Sequence, residues 1–169
     1  MINEINIMRR IDSSYSVKLE YIYETENSLY LVLELLSGGE IFKIDKGQPS
    51  KQHAKFIIYN LLKGVRDLRK SNIIHRDLKP DNIVFKHKGR AVMDNELKIV
   101  DFGLGTFALK DTFLVHRKCG TPGFIAPEVI HMRADDTPDI CDNCDIFSLG
   151  MIFFFMLTGI IPYDGDDIY

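Results

Sequence analysis

The sequence predicts an α+β fold in which a helix and a β-hairpin come first and a mainly helical part follows. Two β-rich stretches, KLEYIY at 18–23 and SLYLVLEL at 28–35, flank the polar segment ETEN. The longest amphipathic pattern of the chain runs over 51–72, and sixteen residues without a charge occupy 146–161. A hairpin near the start of the chain, followed by a mainly helical part, is typical of the α+β class.

The first third of the chain is predicted to contain a short helix and a hairpin. Ile5, Met8 and Ile11 recur three apart within 2–12, which is one apolar stripe of a helix. The two β-rich stretches are predicted to pair antiparallel across ETEN, and Ser-Gly-Gly at 37–39 then interrupts regular structure.

The middle of the chain is predicted to hold one long helix and two short strands. Apolar residues recur at intervals of three and four between Lys51 and Asn72, and Ser50 stands at the N-cap position. The runs NIVF at 82–85 and LKIV at 97–100 are strand-like, with charged turn residues between them.

The last third is predicted to be a long irregular loop followed by a buried helix. Residues 103–145 hold Gly, Pro and polar residues with little periodicity, and long loops in compact domains are usually functional. The uncharged run 146–161 is shorter than the roughly 20 residues of a membrane helix. Its flanks are acidic, so we expect a helix buried on all sides and no membrane partner.

Composition excludes several classes of function. In 169 residues, 21 Lys and Arg stand against 24 Asp and Glu, and this net charge of −3 does not favour a nucleic acid partner. Cys119, Cys141 and Cys144 are too few for a disulfide framework, which indicates a reducing compartment. The N-terminus has no signal-peptide apolar region, so a cytoplasmic location is expected. The Cys141–Cys144 spacing suits zinc, but no second Cys pair accompanies it.

Three motifs carry the chemistry. The string IIHRDLKPDNIVF holds His75, Arg76, Asp77, Leu78 and Asn82 in the pattern H-R-D-L-x-x-x-N. Asp-Phe-Gly follows at 101–103, and Ala-Pro-Glu follows at 126–128. Three motifs in this order leave little room for coincidence.

On these residues, and on the strings LYLVLELLSGGEIF and CGTPGFIAPEV, the chain resembles a eukaryotic protein kinase. These two strings are similar to those of the calcium/calmodulin-dependent and cyclic-nucleotide-dependent serine/threonine kinases. The resemblance implies an incomplete bilobal fold, with a small-lobe remnant at 1–33 and a partial large lobe at 34–169. Lys79, two residues after Asp77, is what serine/threonine kinases carry, so ATP-dependent phosphorylation of Ser or Thr in proteins is implied.

The resemblance also assigns catalytic roles. Asp77 is similar to the Asp that orients the acceptor hydroxyl and takes its proton, and Lys79 to the Lys that holds the γ-phosphate. Thr121 matches the hydroxyl that ties the loop after Asp-Phe-Gly to both of them. Asn82 and Asp101 match the Mg²⁺ ligands, and their oxygens are the ligand type that Mg²⁺ prefers.

The nucleotide side resembles the family as well. Glu34 and Leu36 follow the hairpin, where kinases bind the purine with backbone groups. Val84 matches the apolar residue beneath the ring, and Glu40 matches the acid that reaches the ribose or a basic substrate residue. Glu4 matches the helix Glu that pairs with a strand-borne Lys. Cofactors ATP and Mg²⁺ are therefore implied.

Other positions resemble parts of the family that are architectural or that read the substrate. Glu40 together with Asp81 hints at protein substrates with basic residues before the acceptor. His75 is interpreted as a packing residue in an apolar stack, and Asp145 as the Asp that holds the catalytic-loop backbone. The acidic segment 135–145 is interpreted as a solvated loop, since Ile140 stands where a calcium loop of the EF-hand type requires Gly.

The sequence departs from the family in its nucleotide loop. No G-x-G-x-x-G motif and no strand-borne Lys for Glu4 occur in it, and Arg117 stands where the family often carries a phosphorylatable residue. The later helices of the large lobe are also expected to be missing. We therefore expect an inactive fragment of a serine/threonine kinase. The alternatives are a non-catalytic kinase-like binding module (a pseudokinase or scaffold) and, on 146–161 alone, a membrane-inserted protein.

Overall fold

The computed structural model describes residues 2–44, 48–108, 119–131 and 143–163. The helices are α1 (Ile2–Arg10), α2 (Ile41–Ile44), α3 (Lys51–Lys70), α4 (Pro127–Ile130) and α5 (Cys144–Thr158). The strands are β1 (Leu19–Glu24), β2 (Leu29–Leu33), β3 (Gly39–Glu40), β4 (Ile73–Ile74), β5 (Ile83–Phe85), β6 (Leu97–Ile99) and β7 (Thr106–Phe107). Short 3₁₀ helices occur at Pro80–Asn82 and Val92–Asp94. The α+β class is confirmed, whereas the domain boundary between 33 and 34 stays a prediction.

The predicted hairpin is confirmed. β1 and β2 pair antiparallel, with Ile22 opposite Leu31 and Tyr23 opposite Tyr30. The face that carries both of these tyrosines is exposed, and the face that carries Ile22 and Leu31 is half-buried. The alternation of the strand pattern therefore determines which side of the hairpin faces the rest of the described chain.

A second sheet runs in the order β3-β5-β6 and is antiparallel throughout. The backbone N–H of Gly38 donates to the carbonyl of Phe85 at 2.9 Å, and a Cβ at position 38 would collide with that carbonyl. Glycine is therefore needed for this close approach of two backbones. A third pair, β4 and β7, joins the segments on either side of the catalytic motifs.

Helix α3 provides the centre of the core. The hydroxyl of Ser50 accepts the backbone N–H of His53 at 3.1 Å, which confirms the predicted N-cap. Ile57, Leu61 and Leu68 are at most 1% exposed and lie on one face of the helix. This face packs against α5, β4 and β6, so the amphipathic pattern is satisfied by tertiary contacts.

Helix α5 confirms a helix in the uncharged run but corrects its expected burial on all sides. Leu149, Ile152 and Met156 are buried, whereas Phe154 and Leu157 are 43% and 42% exposed. Helix α5 packs against α3 and also contacts Phe42, Phe124 and Val129, but these neighbours leave Phe154 and Leu157 uncovered, which is why its burial is incomplete. None of the helices in the described ranges is both long and apolar enough to cross a bilayer.

The segment expected to be one long loop contains two short elements, β7 and α4. A two-residue strand and a four-residue helix are too short to produce a periodic pattern, so the sequence pattern did not indicate them. Pro127 occupies the first turn of α4, where its missing N–H costs nothing. Arg117, Cys141 and most of the acidic segment 135–145 lie outside the described residues.

Candidate active site

Four of the five predicted catalytic side chains meet at one point. The hydroxyl of Thr121 donates to Oδ1 of Asp77 at 2.6 Å, and Nζ of Lys79 donates to Oγ1 of Thr121 at 2.9 Å. The same Nζ lies 3.3 Å from Oδ2 of Asp77, and Nδ2 of Asn82 lies 3.3 Å from that oxygen. The Asp77 carboxylate is thus held by donors on both oxygens in a largely buried position.

The loop that carries Asp77 is anchored by the carboxylate of Asp145. This carboxylate is 3% exposed and accepts the backbone N–H groups of His75 at 2.8 Å and of Arg76 at 2.9 Å. Arg76 has a φ of +67°, a conformation that costs a non-glycine residue about 1–2 kcal/mol. The two charge-assisted hydrogen bonds hold this strained turn in place, as expected for Asp145.

His75 is a packing residue, which confirms the interpretation of its sequence position. It is fully buried, and its ring lies 5.0 Å from the ring of Phe102. Its Nδ1 accepts the N–H of Asp77 at 3.3 Å, so the ring proton resides on Nε2, which contacts the Val100 carbonyl at 3.0 Å. The imidazole therefore connects the catalytic loop to the strand end before Asp101.

The two candidate metal ligands lie on neighbouring backbones. The carbonyl of Asn82 accepts the N–H of Val100 at 3.0 Å, which brings Asp101 next to the start of β5. Asn82 uses its amide nitrogen toward Asp77, and its amide oxygen accepts no hydrogen bond from the described residues. Asp101 is exposed, has a φ of +63°, and accepts the N–H of Gly103 at 3.1 Å on one oxygen. Available oxygens of this kind fit Mg²⁺, although Asp101 makes no hydrogen bond to the other four side chains.

The segment predicted to bind the purine, Glu34–Leu36, is called the purine edge below. At Leu36 its backbone N–H and C=O groups are available. Its N–H and C=O make no hydrogen bond within the described residues, whereas the N–H of Glu34 donates to the Lys18 carbonyl at 2.9 Å. Val84 is half-buried in β5 and stands opposite Glu40 in the ladder. The purine edge, Val84 and Glu40 therefore lie near one another, on the β3-β5 side of the site.

Glu4 lies in the first turn of α1, half-buried, and makes no hydrogen bond or ion pair within the described residues. Its helix is connected to the site by the amide of Asn3, which donates to the Gly105 carbonyl at 2.9 Å. The structure therefore places Glu4 on a helix beside the Asp-Phe-Gly segment but does not join its side chain to the catalytic cluster.

A group of charged residues behind the purine edge was missed by the sequence analysis. Lys86 and Lys98 lie 3.4 and 3.3 Å from the two carboxylate oxygens of Glu34, and both also contact Glu96. The hydrogen bond to Glu96 raises the pKa of Lys86 above its ordinary value, against the effect of burial. The available signal was Lys98 itself, a cation in the middle of the apolar run LKIV.

Cys119 borders the catalytic loop and was also missed. Burial raises the pKa of its thiol, the Arg76 guanidinium opposes this, and the Asp77 carboxylate adds to it. The neighbouring Gly120 has a φ of +125°, and a Cβ there would lie 3.0 Å from the carbonyl of Arg76. Glycine thus lets the Cys119–Thr121 segment approach the loop closely enough for Thr121 to reach Asp77.

Comparison with known proteins agrees with this geometry. The family described as "Protein kinase domain" matches residues 1–169, and the chain belongs to this family.

Among its relatives, the chain is 35% identical over 167 residues to "Serine/threonine-protein kinase H1 homolog" from Pinctada fucata and 36% identical over 168 residues to "Serine/threonine-protein kinase H1" from Homo sapiens. It is 34% identical to "Myosin light chain kinase A" from Dictyostelium discoideum. Each alignment covers 98% of this chain, but only 38%, 38% and 54% of the respective relative. The predicted resemblance to serine/threonine kinases is confirmed.

Proposed function

We propose that this chain contributes the catalytic loop of an enzyme that transfers the γ-phosphate of ATP to Ser or Thr of protein substrates. The observation that carries the proposal is the convergence of Thr121, Lys79 and Asn82 on the Asp77 carboxylate. Phosphoryl transfer requires the acceptor oxygen and the leaving group to be in line, so preorganised donors and acceptors supply most of the catalysis.

In the proposed step the acceptor hydroxyl hydrogen-bonds to Asp77. Its oxygen forms a bond to the γ-phosphorus while the bond from that phosphorus to the bridging oxygen of ADP breaks, and the hydroxyl proton passes to the Asp77 carboxylate. Lys79 offsets the negative charge of the phosphoryl group during transfer. Thr121 keeps Asp77 and Lys79 in one orientation, because it donates to one and accepts from the other.

Asn82 and Asp101 are the residues that would hold Mg²⁺. The bound ion supplies positive charge that neutralises the phosphates. The support for this pair is the chemistry of its oxygens and the backbone hydrogen bond from Val100 to Asn82, which holds the two segments side by side. The purine is proposed to bind the free backbone groups of Leu36 over the side chain of Val84.

The proposed substrates carry a basic residue before the acceptor. A cavity of about 330 Å³ beside the catalytic loop is lined by the acids Glu40 and Asp81 and by the rings of Phe42, Phe124 and Phe155. The carboxylates suit the positive charge of Arg or Lys, and the aromatic rings suit the apolar stem of these side chains. A cytoplasmic site of action is proposed as well, since Cys119 is a free thiol.

The test of this proposal is nucleotide binding followed by transfer. Mg²⁺-ATP at a hundredfold over its Kd should stabilise the chain by about 2.7 kcal/mol, measured as a shift in Tm. Asp101→Asn should reduce this shift, whereas the exposed Asp94→Asn should keep it. No shift in the unaltered chain at millimolar Mg²⁺-ATP contradicts the proposal.

Transfer of radiolabel to a basic Ser-containing peptide is the second measurement. We expect little transfer by the 169-residue chain, because its sequence contains no Gly-rich phosphate loop. In a longer form that carries such a loop, Asp77→Asn should lower the rate about 10²- to 10⁴-fold. An unchanged rate in that variant contradicts the role of Asp77.

A non-catalytic binding module is the second candidate, and the missing G-x-G-x-x-G motif favours it. This candidate predicts folding without any nucleotide-dependent change in Tm. The same thermal measurement therefore separates the two candidates.

A further inference from the structure

Lys98 is a buried cation that contacts two other segments of the chain besides its own. Its side chain is 7% exposed. Its Nζ donates to the carbonyl of Ser14 at 2.7 Å, and it lies 3.3 Å from Oε1 of Glu34 and 3.8 Å from Oε2 of Glu96. Ser14 belongs to the connection after α1, Glu34 to the purine edge, and Lys98 to β6.

The position of Lys98 in the chain connects these contacts to the proposed nucleotide site. Lys98 precedes the candidate metal ligand Asp101 by three residues, on the same strand and its continuation. Across the ladder it stands opposite Val84, the proposed base of the purine site. Glu34 is itself held by the backbone N–H of Lys18, which donates to Oε1 at 2.9 Å. One ammonium group therefore links the purine edge to the strand that leads to Asp101.

Packing alone does not account for a charge at this place. Lys98 is only 5% exposed and stands opposite the apolar Val84, so an apolar residue would be compatible with the burial of this position. Replacement of a buried ion pair by apolar residues is often neutral or stabilising. A buried ammonium with specific oxygen partners therefore indicates a requirement for position, beyond a contribution to stability.

We propose that Lys98 is a positioning residue that couples purine binding at Glu34–Leu36 to Mg²⁺ binding at Asp101. This inference rests on the proposed nucleotide-binding function. Without the ammonium, the purine edge loses its direct ion pair with β6 and keeps only the indirect one through Lys86 and Glu96, so the two halves of the nucleotide site are held less firmly relative to each other. Mg²⁺ and ADP should in that case strengthen the binding of each other less, because coupling between two ligands is reciprocal.

The experiment measures the Kd of ADP for the 169-residue chain by calorimetry, with and without Mg²⁺. The ratio of the two Kd values reports the coupling, and a variant that merely loses stability keeps this ratio while it is folded. Lys98→Met removes the charge, and a cavity of about 750 Å³ that borders both Lys98 and Glu34 gives the new side chain room. Glu34→Gln removes the charge on the other side of the pair.

We expect the ratio to fall about fivefold or more in Lys98→Met and in Glu34→Gln. Lys98→Arg, which keeps the charge, should restore at least part of the coupling. The matched control is Lys18→Met, since Lys18 is 70% exposed and its side chain pairs with Glu20; its ratio should be unchanged.

Failure of the inference is distinguishable from failure of the proposed function. ADP binding with an unchanged ratio in both charge variants overturns the role of Lys98 alone, as does a ratio of one in the unaltered chain. Absence of ADP binding by the unaltered chain overturns the function, and the inference with it. If circular dichroism finds that Lys98→Met is unfolded, Glu34→Gln decides; if both are unfolded, Lys98 is a stability residue and the inference is wrong.

Discussion

Replacement of Asp145 by Ala should destabilise the chain strongly. The Asp145 carboxylate is 3% exposed and accepts two backbone N–H groups, from His75 at 2.8 Å and from Arg76 at 2.9 Å. Hydrogen bonds to a charged group contribute about 1.5–3 kcal/mol each, so loss of both should cost about 3–6 kcal/mol. A domain of this size is stable by roughly 5–15 kcal/mol, so the variant should lie near the limit of folding.

The assay is urea unfolding at constant pH, followed by far-UV circular dichroism, with the free energy of unfolding taken from midpoint and slope. Asp145→Asn keeps one acceptor oxygen and should lose about half as much. The control is Asp94→Ala, because Asp94 is exposed and should change the free energy of unfolding by less than about 0.5 kcal/mol. A loss below about 1 kcal/mol in Asp145→Ala, at an unchanged slope, would refute the anchoring role.

Two further predictions follow from shifted pKa values. Because burial raises the pKa of Cys119, alkylation of its thiol at pH 7.5 should be slower than that of a free cysteine, measured by peptide-resolved mass spectrometry over time; labelling at the free rate contradicts this. The hydrogen bond from His87 and the ion pair with Lys86 lower the pKa of Glu96. The stability contributed by Glu96 is therefore present above the ordinary glutamate pKa of about 4.3 and is lost as the pH falls through its lower folded value. The difference in urea midpoint between the unaltered chain and Glu96→Gln should vanish as the pH falls through that folded pKa. At higher pH the difference should correspond to at most about 1 kcal/mol, because Glu96 is half-exposed. A difference that grows on acidification is the contrary result.

Local pattern was sufficient for the longer elements. The three- and four-residue spacing of α3 and its Ser50 cap survive in the structure, because one buried face of a helix requires that spacing whatever covers it. Boundaries and burial of α5 were predicted less well. An uncharged run indicates a helix, but the number of faces that are covered depends on which other segments pack on it.

The catalytic motif also determined which side chains meet, since Asp77, Lys79 and Asn82 lie within six residues on one loop and have little freedom to separate. Contacts between distant segments are made by the tertiary structure, and only the family resemblance had indicated one of them, between Asp145 and the catalytic loop. Asp145 reaches the N–H of His75 across 70 residues of sequence, and Lys98 reaches Ser14 across 84. No periodicity encodes such pairs, because each depends on how α5 packs on α3 and on how the connection after α1 lies along β6. The sequence by itself therefore determined the chemistry of the site, whereas the packing of its elements decided which buried charges hold that chemistry in place.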